Sequence, residues 1–218
     1  MTVYIYLHGF ASSPQSSKAK YLGDRFAELD LELQILDLNQ GDFSQLTLSR
    51  QIQQTIEAFP DRSTPITLIG SSFGALTSAW VAQQQSQVKN LVLLAPAFGF
   101  PQSWYARLQP AQIDQWRNSG YLSIYHYGAG KKLPLSYQFL RNADNYPLSG
   151  LRRSCPTLII HGINDQVVPI EVSRDYALQH QGVKLVELDS DHGLNDMQPK
   201  IWELIQDFLH LNEAKPNS

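Results

Sequence analysis

Three polar side chains stand far apart in the chain, yet each follows a short apolar run: Ser72 after "PITLIG", Asp165 after "TLIIHGIN" and His192 after "VKLVELDSD". A serine hydroxyl is a weak nucleophile until a neighbouring base takes its proton, and an imidazole oriented by a carboxylate is the usual base. The order Ser, Asp, His, with the three at the ends of the third, fifth and sixth predicted strands, is one of the orders in which such a triad occurs. Ser72 is central to the frame Gly70-x-Ser72-x-Gly74, whereas a frame on Ser71 would need glycine at Ile69. Such an elbow turns sharply from strand to helix, and its small neighbours let the backbone reverse without collision. The flanks agree, with β-branched "PITLI" before it and "FGALTSAWVA" after it.

Acyl transfer through a serine also needs donors for the developing oxyanion, each worth about 3 kcal/mol. The N–H of Phe73, next after the serine, supplies one. The loop after the first strand, "YLHGFASSP", supplies the other; Phe10 takes this role, with Ala11 as its alternative, and Gly9 permits close approach. Rival readings accompany each residue. Asp165 in "GIND" also suits an Asx turn, and Asp189 and Asp191 compete with it as the acid. His192 also suits a surface loop, as do His126, His180 and His210, while His161 is expected to be a packed structural histidine rather than a second base.

These loops need a scaffold. Apolar runs predict strands near Val3–Leu7, Leu33–Leu36, Ile66–Ile69, Leu91–Leu94, Thr157–Ile160 and Val183–Leu188. Helices are predicted near Ser17–Leu29, Leu48–Phe59, Phe73–Gln84, Pro169–Gln179 and Pro199–Leu211. This alternation predicts an α/β fold, a doubly wound and mostly parallel sheet of about six strands in the order 2-1-3-4-5-6. A single domain is expected, with residues 97–150 as an aromatic-rich lid insertion. Within it, Ser103–Asn118 reads as one helix capped by Ser103, and "SIYHYGAGKKLPLSY" as a hairpin around "GAGK". Trp104, Tyr105 and Trp116 are candidates for a substrate pocket, or else simply bury the insertion. The tail Asn212–Ser218 reads as frayed.

The 218 residues are 43% hydrophobic and 17% charged, with a net charge of −3. No lysine or arginine run exists to neutralise phosphates, so nucleic acid is not an expected partner. One cysteine, Cys155, forms no internal disulfide and reads as a buried small hydrophobe. "VYIYL" is too short for a signal peptide or a membrane span, so a cytoplasmic setting is expected. Neither a metal nor an organic cofactor is implied.

The segments "YLHGFASSPQSSKAKYL" and "GSSFGA" resemble the small YqiA-type bacterial esterases of the α/β-hydrolase superfamily. "HGINDQVVP" and "DHGL" resemble acid and histidine motifs found across that superfamily. The insertion "WRNSGYLSIYHYG" is similar to the lid of acyl-protein thioesterases and acyl-glucuronide esterases. The chain departs from the YqiA-type pattern at Ala75, where a second glycine is common, and it lacks the two leading strands of larger members. The resemblance implies the roles already read for Ser72, His192, Asp165, Phe10 and Phe73, with no cofactor. It implies a small-molecule ester or acyl thioester as substrate. A non-catalytic binding module on the same fold, a peptidase and a C–C or dienelactone hydrolase are the competing readings.

Overall fold

The computed structural model describes residues 2–211, so the expected frayed tail lies outside the described residues. Six parallel strands form the main sheet: β1 (Val3–Leu7), β2 (Leu33–Leu36), β3 (Ile66–Ser71), β4 (Val88–Leu94), β7 (Thr157–Gly162) and β8 (Val183–Leu188). Their order across the sheet is β2-β1-β3-β4-β7-β8. Counted without the two hairpin strands of the insertion, this is the expected 2-1-3-4-5-6. The central strands β3 and β7 are buried along their whole length, which explains their unbroken apolar runs.

Alternate residues of each strand serve opposite faces. Ile5, Leu68, Leu91, Leu93 and Ile159 join one core with α2 (Leu48–Glu57) and α3 (Phe73–Gln84). Tyr6, Ile69, Val92, Leu158 and Ile160 join the other, beneath α1 (Ser17–Ala27) and α8 (Gln198–Leu209). α3 is buried from Phe73 to Ala82, as its lack of a polar face requires. α7 (Glu171–Gln179) packs beside β8.

The insertion leaves β4 and returns at β7. It holds α4 (Gln102–Arg107), α5 (Pro110–Ser119), the antiparallel pair β5 (Tyr121–His126) and β6 (Lys131–Ser136), and α6 (Gln138–Ala143). The expected hairpin is present. The expected single helix Ser103–Asn118 is two helices, and Ser103 is not its cap. The break has a local cause: Gln109 precedes Pro110 and is pushed to an extended ψ of 145°, where no helix continues. Pro110 instead starts α5, where its missing N–H costs nothing. α6 was not read from the sequence at all.

The hairpin turn docks on the loop after β1. Gly128 N–H donates to the Ala11 carbonyl at 3.3 Å, and a side chain at Gly128 would collide with Ser13. Asn39, within 3.3 Å of the His126 ring, holds the Ser12 carbonyl at 2.8 Å.

Candidate active site

Parallel register places the ends of β1, β3 and β4 level, with Leu7 opposite Gly70 and Ser71 opposite Leu94. Ser72 is the next residue, at φ 54° and ψ −113°, a conformation that L-residues avoid. Its backbone is tied down on both sides. The N–H donates to Leu94 O at 2.8 Å, and the carbonyl accepts from Ala75, Leu76 and Ala97. The glycines explain themselves sterically. A Cβ on Gly70 would stand 2.6 Å from Ala75 Cα, and one on Gly74 would stand 2.5 Å from the His8 carbonyl. Gly9 has more room, its hypothetical Cβ lying 3.5 Å from that of Ser72. Ser71, by contrast, is buried at the strand end beside the Tyr6 hydroxyl.

His192 Nε2 lies 3.0 Å from Ser72 Oγ, and His192 Nδ1 lies 2.6 Å from Asp165 Oδ2. A carboxylate only accepts, so Nδ1 carries the hydrogen and Nε2 is free to accept from the serine. The acid is fully enclosed, whereas the imidazole keeps 23% of its side-chain surface open. Asp165 Oδ1 accepts from the N–H groups of Val167 and Val168, both at 2.7 Å. Burial by itself would raise the Asp165 carboxyl, but the hydrogen bonds from His161, His192 and Val168 outweigh it and hold the group well below the usual carboxylate range.

The rival acids are engaged elsewhere. Asp189 accepts from Asn164 Nδ2 at 2.8 Å, and Asp191 caps its own turn through the N–H groups of Gly193 and Leu194. His161 is packed, as expected, but its contact was not foreseen. Its Nε2 lies 3.0 Å from both Asp165 Oδ2 and the Val168 carbonyl, and its Nδ1 lies 2.7 Å from Ser173 Oγ. One carboxylate oxygen therefore serves two imidazoles. The four-residue spacing from His161 to Asp165 is a legible signal, since His161 is the penultimate residue of β7 and Asp165 lies in the turn that follows it.

The loop after β1 is held by His8, whose buried Nε2 accepts from Leu38 N–H at 3.1 Å. Among the described residues, neither the Phe10 nor the Phe73 N–H donates to another protein atom. At Phe73 this follows from its place in the first turn of α3. Both are donors with unspent capacity flanking the serine loop.

The aromatic residues of the insertion divide. Trp116 has no exposed surface and donates Nε1–H to Leu135 O at 2.8 Å, tying α5 to β6. In this structure it anchors the insertion and faces no open space, in line with the alternative that these aromatics bury the insertion. Tyr105 is occupied with Asp144, 3.2 Å from its hydroxyl. Trp104 meets Phe10 edge-on at 5.1 Å, with Phe100 and Phe139 alongside. From the same helix, Arg107 grips the carbonyls of Gln166 and Val167 in the acid loop.

Among the described residues, no group of three or more His, Cys, Asp or Glu side chains is arranged to hold a metal ion, and no helix is long and apolar enough to cross a membrane. Cys155 is buried, as expected, and burial pushes its thiol up.

The model of the Uncharacterised protein family (UPF0227) matches residues 3–210. The chain is 22% identical over 185 residues to "Palmitoyl-protein thioesterase ABHD10, mitochondrial" of Mus musculus, a match covering 79% of this chain and 62% of that relative's length. A solved structure of mouse alpha/beta hydrolase domain-containing protein 10 superposes with a TM-score of 0.78 at 19% identity, covering 96% of this chain and 89% of that one. Est1E of Butyrivibrio proteoclasticus, solved with ferulic acid bound, gives 0.82 at 21% identity, covering 99% and 90%. These likenesses show the α/β-hydrolase fold.

Proposed function

Because the chain belongs to the Uncharacterised protein family (UPF0227) and folds as an α/β hydrolase, we propose that it is a serine hydrolase cleaving carboxylic esters through an acyl-enzyme. The observation that carries this reading is the unbroken line from Ser72 Oγ to His192 at 3.0 Å and on to Asp165 at 2.6 Å.

Ser72 Oγ attacks the ester carbonyl while its proton passes to His192 Nε2. The resulting oxyanion sits between the N–H groups of Phe73 and Phe10, with Ala11 N–H as the alternative to the latter. Collapse expels the alcohol, which takes the proton from His192. A water then gives its proton to His192 and attacks the acyl-enzyme; the acid leaves and Ser72 recovers its hydrogen. Asp165 holds the Nδ1–H tautomer and stabilises the imidazolium, and its four donors keep it ionised throughout.

Residues 97–150 act as a lid on a single domain, with Trp104 and Tyr105 nearest the substrate. The solved structure holding ferulic acid supports a small-molecule substrate with an apolar acyl or aryl group, and an acyl thioester is the second reading because the mouse relative is named a palmitoyl-protein thioesterase. A cytoplasmic setting belongs to the same proposal, although that relative is named mitochondrial.

Labelling with a fluorophosphonate tests the assignment. Wild type and Ser71→Ala should label and Ser72→Ala should not; labelling that survives in Ser72→Ala removes the proposal. A panel of p-nitrophenyl esters and acyl thioesters then ranks the two substrate classes.

A further inference from the structure

The first turn of α1 touches the histidine loop across nearly the whole chain. Ser17 Oγ donates to Asn195 Oδ1 at 3.1 Å, and the Lys18 ammonium donates to the carbonyl of Gly193, the residue after His192. The loop itself is tightly folded. Asp191 Oδ1 accepts from Gly193 N–H at 2.8 Å, Leu194 takes a left-handed φ of 51°, and a side chain at Gly193 would stand 2.8 Å from Asn195 Nδ2.

An ammonium held here forfeits hydration, which pulls the Lys18 pKa down to about 8 despite the attraction of Asp191 and Asp165. Among the described residues no carboxylate lies within ion-pair distance of it. A surface lysine would avoid that cost, so the geometry has to be repaid by something the loop needs.

We propose that Lys18 is a positioning residue for His192: it fixes the histidine loop through Gly193 O and sets a cation beside the Asp165–His192 pair that favours the neutral imidazole. This rests on the reading of His192 as the base. Besides the Ser72 hydroxyl at Nε2, four charged or titratable groups bear on the ring: Asp165 at Nδ1, Lys18 through the Gly193 carbonyl, Asp191 next in the chain, and His161 across the shared carboxylate oxygen. Among these, Lys18 is the group that carries positive charge across the acid limb, below its pKa of about 8. It opposes protonation of the base, whereas Asp165 and Asp191 favour it.

The test measures kcat/KM for a p-nitrophenyl ester against pH in wild type, Lys18→Met and Lys18→Arg, together with the NMR titration of the His192 ring. In Lys18→Met the acid limb and the ring pKa should both rise by about one unit. That amounts to about a tenfold loss of kcat/KM on the acid side. Lys18→Arg, which keeps both charge and donor, should return the limb toward wild type, whereas Lys18→Gln, which keeps a donor without the charge, should leave it raised; a purely structural role would be rescued by both. If Lys18→Met does not fold, Lys18→Gln keeps a donor for Gly193 without the charge and gives the same readout.

A folded Lys18→Met or Lys18→Gln with limb and ring titration unmoved overturns the proposal. The ring titration is repeated in a Ser72→Ala background, where no turnover is needed. A Lys18 effect there, in a protein whose hydrolysis does not depend on Ser72, separates failure of the serine-hydrolase reading from failure of this one.

Discussion

Replacing Asp165 with asparagine removes one acceptor and leaves the shape unchanged, so its consequence follows from the four donors around the carboxylate. The amide has one oxygen for two sides. One side faces the Val167 and Val168 N–H groups at 2.7 Å, and the other faces His192 Nδ1 and His161 Nε2. Turning the amide oxygen toward the imidazoles would set NH2 against the buried Val168 N–H and the half-buried Val167 N–H, at about 1–3 kcal/mol for each donor left unpaired. The oxygen therefore stays with Val167 and Val168, favoured by about 2–6 kcal/mol on that count.

His161 loses little, because its Nε2–H retains the Val168 carbonyl at 3.0 Å. His192 loses its role, because Nδ1 must now accept from NH2, the hydrogen moves to Nε2, and Ser72 faces a donor. The competent tautomer is then populated at about one part in 30 to one in 3 × 10⁴, and kcat should fall by a factor in that range or more. Steady-state hydrolysis of a p-nitrophenyl ester by Asp165→Asn reads this, with circular dichroism as the control for folding. An Asp165→Asn enzyme within about threefold of wild type would refute the reasoning, since that lies well inside the smallest loss the donor count allows, and would redirect attention to Asp189 or Asp191.

Gly74→Ala should fail to fold or lose more than about 3 kcal/mol in urea denaturation, since its Cβ meets backbone carbonyls that cannot yield. Gly9→Ala should fold, because its nearest contacts are 3.4 and 3.5 Å, and lower kcat by crowding the serine. Trp116→Ala should cost about 3–5 kcal/mol in stability through the cavity it leaves, while Trp104→Ala should change KM across a series of acyl chain lengths with a smaller change in the denaturation midpoint. The Asp165 carboxyl titrates lower folded than unfolded, so its stabilisation is complete above the ordinary carboxylate pKa of about 4 and is lost as the pH falls below it. In Asp165→Asn the drop in thermal midpoint on acidification below that pH should be shallower.

Some of this molecule was legible in the order of its residues. Unbroken apolar runs such as "TLII" are what strands buried on both faces look like, so β3 and β7, and with them the parallel sheet, followed from local pattern. The elbow was legible for the same reason: Gly70 and Gly74 are needed by backbone packing within a few residues of Ser72. Contacts between distant segments were not legible, because no local pattern encodes them. Whether Asp165, Asp189 or Asp191 meets the imidazole depends on where the loops after β7 and β8 cross, and the lacing of Asn164 to Ser190 decides it. Trp104 and Trp116 look alike in sequence, yet one is sealed against Leu135 and the other abuts Phe10. Lys18 and Gly193 become neighbours only because α1 and α8 pack together on one face of the sheet, which sets the start of α1 beside the loop after β8.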